Sequence, residues 1–213
     1  MTRDQAIERV RRGLGFRGAS FQTQAIIDTM TDAQLELERA ASLPWFTLSE
    51  DQTLSLATTS NSVSLPTGFL HEAETKRGGV RYTDDTGAAV YLTKVDFDYG
   101  QSLYLGEDDG PPEAYTVRAS TLYVWPRSDQ AYTLYWSYHV AQTSLATNVE
   151  NNWLLYVPSV LIGMTGRVFA QDLRDDAAIA RFAEQEERGR RAMLADEIAR
   201  EHGNRDYAVG ARL

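Results

Sequence analysis

The chain contains no cysteine. That excludes a disulfide framework, thiolate metal sites and any cysteine nucleophile. Histidine is scarce: His71, His139 and His202 stand far apart, in no spacing that suits a metal ion. No G-x-S-x-G, H-E-x-x-H or P-loop is present, and no histidine sits near a candidate nucleophile. The sequence therefore points to no enzyme, no catalytic residue, no metal and no cofactor. Lysine is limited to Lys76 and Lys94, so 19 of the 21 basic residues are arginine. Arginine forms planar bidentate pairs suited to interfaces, and a GC-rich genome gives the same bias. Long apolar runs are missing too. The most apolar stretch, "NWLLYVPSVLIGMTGRVFAQDL" (152–173), lacks charge from Trp153 to Gly166 but is stopped by Arg167, short of the roughly 20 residues a bilayer span needs. The N-terminus is charged from its third residue and has no apolar h-region, so no signal peptide is expected and a cytoplasmic product is the default.

What is present is a chain of 213 residues, 43% hydrophobic, long enough for one substantial core or two small ones. The net charge of -9 argues against a general nucleic-acid binder, since phosphate binding wants a basic surface. It suits a surface that DNA slides past. "GLGFRG", with Gly13, Gly15 and Gly18, matches a dinucleotide fingerprint in letters only, because a helix rather than a strand precedes it. These glycines read better as the end of a first helix over residues 2–12 and a turn into a second.

The periodicity predicts helices at both ends and strands between. The second helix opens after an expected N-cap Ser20, carries the stripe Ile26, Met30, Ala33, Leu37 and Ala41, and closes at Pro44. From Trp45 the period changes to two. Seven short β-branched and aromatic runs, "TLSLAT", "SVSLP", "GGVRYT", "AAVYLT", "EAYTVRAS", "TLYVWP" and "AYTLYWSYHV", are separated by Asp, Asn, Gly and Pro turns. Asp84 and Asp85 read as a hairpin turn. Between the runs, "KVDFDYGQSLYLGEDDGPP" breaks the alternation and suggests a short helix followed by an acidic loop with Glu107, Asp108 and Asp109. That loop lacks the ligand spacing of a calcium site.

Helix returns with the apolar stretch. Val157, Val160, Leu161, Met164 and Val168 share one face, Pro158 suits its first turn, and Gly163 and Gly166 invite close approach of another backbone, within the subunit or from a neighbour. A long polar helix over about 175–201 follows, roughly 40 Å at 1.5 Å per residue, with a thin face of Ile179, Phe182, Leu194 and Ile198. The expected fold is α+β: N- and C-terminal helices forming a helical bundle, with an inserted antiparallel β-sandwich or small barrel. Its segments are 1–44 (N-terminal helices), 45–148 (β-rich domain), 149–203 (C-terminal helices) and 204–213 (C-terminal tail).

"LERAASLPWF" (37–46), "LPTGFLHEA" (65–73) and "WLLYVPSVLIGM" (153–164) with its trailing acidic, arginine-rich helix occur here in the order found in another group of proteins. The chain resembles the head-to-tail connector adaptors of short-tailed bacteriophages, the tail tubular protein A type, over nearly its whole length. The resemblance implies a structural protein of the virion neck, assembled in the host cytoplasm. It implies a dodecameric ring beneath the portal protein, extending the DNA channel without specific DNA binding or a membrane, and meeting a tail nozzle or tail tube protein.

Within that resemblance, the two C-terminal helices are expected to pack against those of neighbouring subunits. Arg181, Arg188, Arg190 and Arg191 would meet Glu184, Glu186 and Glu187 there. The loop with Glu107, Asp108 and Asp109 would face the phage tail. The C-terminal segment would order along the portal through Arg205, Tyr207, Val209, Arg212 and Leu213, with folding back on its own subunit as the competing reading. A rival function is a carbohydrate-binding or hydrolase module on the β domain, with Tyr123, Trp125, Tyr135 and Trp136 stacking on sugars. Strand alternation favours the core for most of those aromatics.

Overall fold

A computed structural model describes residues 1–40, 42–73, 79–147 and 149–202. Helix α1 (Arg3–Gly13) opens with a reciprocal capping box. The Gln5 amide donates to Thr2 Oγ1 at 3.3 Å and the Thr2 amide to Gln5 Oε1 at 3.1 Å. A 3-10 turn (Gly15–Ser20) leads to α2 (Thr23–Glu38). Ser20 does not cap α2. Its hydroxyl donates back to the Arg17 carbonyl at 2.6 Å, and Gln22 takes the N-cap position without a side-chain bond. The 3-10 turn consumes the residues that a direct helix start would need. α2 also ends earlier than Pro44 suggests, at Glu38, where Gln34 and Glu38 turn their side chains to a returning segment. Of the expected stripe, Ile26, Met30, Ala33 and Leu37 are buried, and Ala41 lies outside the described residues.

The apolar stretch forms two helices, α4 (Asn152–Tyr156) and α5 (Pro158–Asp172). Val157 between them leaves helical geometry at φ -131°, because a following proline ring disfavours the α region for the residue before it. Pro158 sits in the first turn of α5. Val157, Val160, Leu161 and Met164 are buried, but Val168 is exposed; Phe169 and Ala170 take its place in the core.

α6 (Asp176–His202) follows. Phe182 is buried and Ile179 partly so, whereas Leu194 and Ile198 are exposed. The expected face was out of phase: at about 100° per residue, Leu194 lies about 120° around the helix from Phe182. Met193 is the residue that packs inward.

The chain divides into two compact units, residues 1–47 with 142–213, and Leu48–Ala141. In the first, α1, α2, α4, α5, α6 and Phe46 share one apolar cluster. A 3-10 turn (Trp45–Thr47) precedes the second unit.

That unit holds β1 (Leu48–Leu56), β2 (Ser62–Ser64), β3 (Phe69–Glu72), β4 (Arg81–Thr83), β5 (Ala89–Tyr91), β6 (Thr93–Lys94), α3 (Phe97–Leu103), β7 (Ala114–Arg118), β8 (Thr121–Trp125) and β9 (Tyr132–Val140). Each of the seven alternating runs contains a strand, and β3 and β6 add two more. One sheet runs β1-β9-β4-β5 with β3 also on β9; the other runs β2-β8-β7-β6. Neither closes into a barrel among the described residues. β6 pairs parallel with β7, so the second sheet is mixed, not wholly antiparallel. Leu56, Tyr82, Leu122, Val124, Leu134 and Trp136, drawn from both sheets, share one buried cluster. The hairpin between β4 and β5 turns at Asp84, whose carboxylate accepts from Thr86 and Ala88; the Thr86 hydroxyl first, then these backbone bonds, hold its carboxyl below the usual range.

Candidate interaction surfaces

The glycines of α5 act inside the subunit. A Cβ on Gly166 would stand 2.2 Å from the Phe182 ring, and one on Gly163 would stand 2.7 Å from the Glu186 backbone nitrogen. Gly13 makes room for the same Phe182 ring, and Gly189 of α6 faces Val160. α6 therefore presses into notches on α5 and α1. Glu186 is carried into this contact and is buried. Arg190 donates to its Oε1 at 3.0 Å, and Arg167 stands 3.2 Å from Oε2, an ion pair without hydrogen-bond alignment.

Asp176, Arg181, Glu184, Glu187, Arg188, Arg191, Asp196 and Arg200 of α6 are exposed. Arg188 pairs with Glu184 at 2.8 Å and Arg191 with Glu187 at 2.9 Å, both one helical turn apart on the same helix. Arg181 donates to the Gly13 carbonyl at 3.0 Å. Glu184, Glu187, Arg191, Leu194 and Ile198 share a face turned away from Phe182 by the 100° step of the helix. Trp45 fastens the far end of α6. Its amide donates to Glu197 at 3.0 Å, its indole nitrogen to Asp196 at 2.7 Å, and Arg200 lies 3.6 Å over its ring. Arg200 first, then Trp45, hold the Asp196 carboxyl below the usual range.

A polar clamp that periodicity gave no hint of lies between α2 and the segment returning from β9. Glu38 Oε1 accepts from Gln34 at 2.9 Å, from the Gln142 amide at 3.0 Å and from the Trp153 indole at 3.0 Å. Gln34 Oε1 accepts from the Leu145 amide and from Asn151. Asn151 Oδ1 caps α4 through the Trp153 and Leu154 amides. Gln34, Glu38 and Asn151 are all buried, and burial without such partners would be costly. The only sequence signal was polar residues on the same side of α2 as Met30 and Leu37.

The acidic loop lies between α3 and β7. Glu107 and Asp108 are exposed, and Asp109 pairs with Arg127 at 2.9 Å. The C-terminal positions Arg205, Tyr207, Val209, Arg212 and Leu213 lie outside the described residues.

Strand register also joins residues that spacing kept apart. His71 and His139 face each other across β3 and β9 with ring centroids 4.8 Å apart. His71 Nδ1 lies 2.8 Å from the Glu72 carbonyl. Burial first, then His71, push the His139 imidazole down from its ordinary value. Nearby, an open groove of about 720 Å³ is lined by residues including Phe69, Glu72, Lys94 and Tyr115. Glu72 pairs with Lys94 there, and burial, then Glu72, push the Tyr115 hydroxyl up. Among the described residues, no three His, Asp or Glu side chains are grouped to hold a metal ion. The aromatics of the rival carbohydrate reading are divided. Trp125 and Trp136 are buried, Tyr123 stacks beside Trp125, and Tyr135 carries Arg81 on its ring. Both indoles are therefore core residues and offer no open face to a sugar.

Compared with known proteins, residues 1–212 match the sequence model of the family described as SU10 adaptor protein. No curated protein matches the chain.

Proposed function

The chain belongs to the SU10 adaptor protein family, and from that premise we propose that it is the head-to-tail adaptor of a bacteriophage of the short-tailed, tail tubular protein A type. As a structural protein of the virion neck, it forms a dodecameric ring under the portal, extends the DNA channel and joins the capsid to the tail nozzle or tail tube. The observation that carries this reading is the family match over 212 of 213 residues. The net charge of -9 supports passage of DNA without retention. No helix among the described residues is long and apolar enough to cross a membrane.

In this proposal the helices form a bundle and the two sheets a sandwich inserted into it. Neighbouring subunits meet along the exposed face of α6, where Arg181, Glu184, Glu187, Arg188 and Arg191 set register. Pairs of that kind contribute only about 0–1 kcal/mol each. The C-terminal segment docks on the portal, with Tyr207, Val209 and Leu213 as apolar anchors and Arg205 and Arg212 as donors. Fixing its backbone costs about 1–2 kcal/mol per residue, offset by burial of the anchors. The loop with Glu107, Asp108 and Asp109 faces the phage tail.

Electron microscopy of the purified protein mixed with portal rings tests the reading. A ring of adaptor density under the portal is expected, and its loss on removal of residues 204–213 with the subunit's melting temperature unchanged. A protein that stays off the portal without any truncation refutes the assignment. A large fall in melting temperature on truncation means instead that the segment folds back on its own subunit.

A further inference from the structure

Helix α3 and the loop after it hold three large apolar side chains in solvent: Tyr99 is 57% exposed, Leu103 48% and Leu105 80%. Tyr99 and Leu103 are one helical turn apart, so they stand on the same outward face, and Leu105 lies two residues beyond the helix end. Single exposed apolar residues are ordinary, but an apolar group gathered at one place marks an interaction surface.

The scaffold beneath this group is braced. Asp96 caps α3 through the Asp98 amide at 2.9 Å. Phe97 packs edge-on against Tyr123 and Trp125, and a Cβ on Gly100 would stand 2.8 Å from the Trp125 ring, so α3 lies directly on β8. The loop is tied at both ends. Tyr104 donates its hydroxyl to Glu113 at 3.2 Å, Arg127 pairs with Asp109, and the Gly110 amide donates to the Arg127 carbonyl at 2.8 Å. An apolar knob on a rigid base loses little conformational entropy on docking, which favours affinity.

The rim of the knob states what it fits. Asp98, Glu107 and Asp108 form no ion pair among the described residues, whereas Asp109 has Arg127 and Arg118 stacks on the inner Phe97 ring. The unit that carries them has thirteen acidic and six basic residues, a net of -7. A second copy of this unit would bring like charge to the contact and be repelled, as would DNA.

We propose that Tyr99, Leu103 and Leu105, rimmed by Asp98, Glu107 and Asp108, form the knob by which this unit docks a tail-side protein whose apolar recess is edged with lysine or arginine. The inference rests on the adaptor reading above and names the surface and the chemistry of its partner.

The test uses assembled particles. The photo-crosslinker p-benzoyl-phenylalanine replaces Leu103, and irradiated virions are resolved by mass spectrometry. The expected crosslink is to a virion protein other than the portal and the adaptor; a crosslink only to portal, to a second adaptor copy or to DNA overturns the proposal. In parallel, Tyr99→Ser with Leu105→Ser, and separately Asp98→Lys with Glu107→Lys and Asp108→Lys, are placed in the phage. Each set should leave DNA-filled heads that carry the adaptor while the fraction with tails falls at least about tenfold, a loss of ~1.4 kcal/mol or more. Circular dichroism of each purified variant should show an unchanged melting temperature, since all five side chains are exposed. Normal tail attachment in the serine variant overturns the knob, and normal attachment in the lysine variant overturns the basic partner. Wild-type adaptor missing from purified virions would overturn the adaptor reading and this inference together.

Discussion

The helical unit and the β unit of this chain differ in charge balance and in where glycine matters most. The helical unit, residues 1–47 and 142–213, has seventeen acidic and fifteen basic residues, a net of -2. Its charges nearly balance, and several pair along α6, as Arg190 with Glu186 and Arg191 with Glu187. Gly163 and Gly166 sit inside α5, where a missing Cβ lets Glu186 and Phe182 approach. The β unit carries a net of -7 and spends Gly87, at φ +85°, on the hairpin turn. Its core is aromatic, with Trp136 stacked among Phe69 and Tyr138. One region is built by close approach of backbones, and the other by a sheet core that leaves its loops and acid outward. The difference teaches that the helical unit is the part most sensitive to added or removed atoms, and the β unit the part that tolerates surface change.

The strongest blow to that contrast should come at Phe182. Phe182→Ala empties the notch lined by Gly13 and Gly166 and should cost about 3–5 kcal/mol. Hydrogen exchange should show the loss in α5 and α6 and not in β9; equal loss in both units would end the comparison. Adding Gly166→Ala to Phe182→Ala should recover part of the loss, because the new methyl enters the vacated space and raises helix propensity by about 1 kcal/mol. In the wild-type background the same Gly166→Ala meets the ring and destabilises by about 1–3 kcal/mol, a sign reversal that a thermal double-mutant cycle reads directly.

Glu38→Ala comes next. It strips the acceptor from the Trp153 indole and the Gln142 amide, and a buried donor left unsatisfied costs about 1–3 kcal/mol. Chemical denaturation should show the fall, and Glu38→Gln, which retains one acceptor oxygen, should lose less.

A smaller effect belongs to the β unit. Because the His139 imidazole is held below its ordinary value of 6.5 in the fold, the unfolded chain takes up this proton first. Stability should be whole above about pH 6.5, fall as the pH drops through that value, and level off below the folded pKa. His71→Gln removes the second cause of the depression and should flatten the decline in melting temperature between pH 7 and 5. A decline unchanged by His71→Gln would assign it to other groups.

The smallest effect on the subunit is expected from Arg188→Glu with Arg191→Glu, within about 1 kcal/mol because both ion pairs are exposed. If neighbouring subunits meet along α6 as proposed, the same change should impair incorporation into particles; normal incorporation would refute that proposed contact.

Much of the architecture was readable. Alternation located seven strands and the short α3, and the 3.6-residue pattern located the helices. Leu194 was grouped with Phe182 although twelve residues separate them, and over that distance a small misjudged phase turns an inward position outward. Ser20 looked like an N-cap because residue type alone does not reveal that a 3-10 turn has already taken its hydroxyl. The polar clamp at Gln34, Glu38 and Asn151 was missed because its partners lie over 100 residues apart. The exposure of Tyr99, Leu103 and Leu105 is not legible in the sequence, because they lie where the alternation breaks and no period assigns them a face.

By itself, the sequence determined what each segment must be: helical where apolar residues recur every three or four positions, extended where they alternate, and without thiol chemistry anywhere. Those are properties of neighbours along the chain, set by local geometry and residue type. Only the tertiary structure decided which α5 glycine receives which α6 side chain, that two histidines meet across β3 and β9, and which apolar residues remain in water. Each depends on register and helix phase between segments distant in sequence, where a shift of one residue turns a side chain from core to solvent.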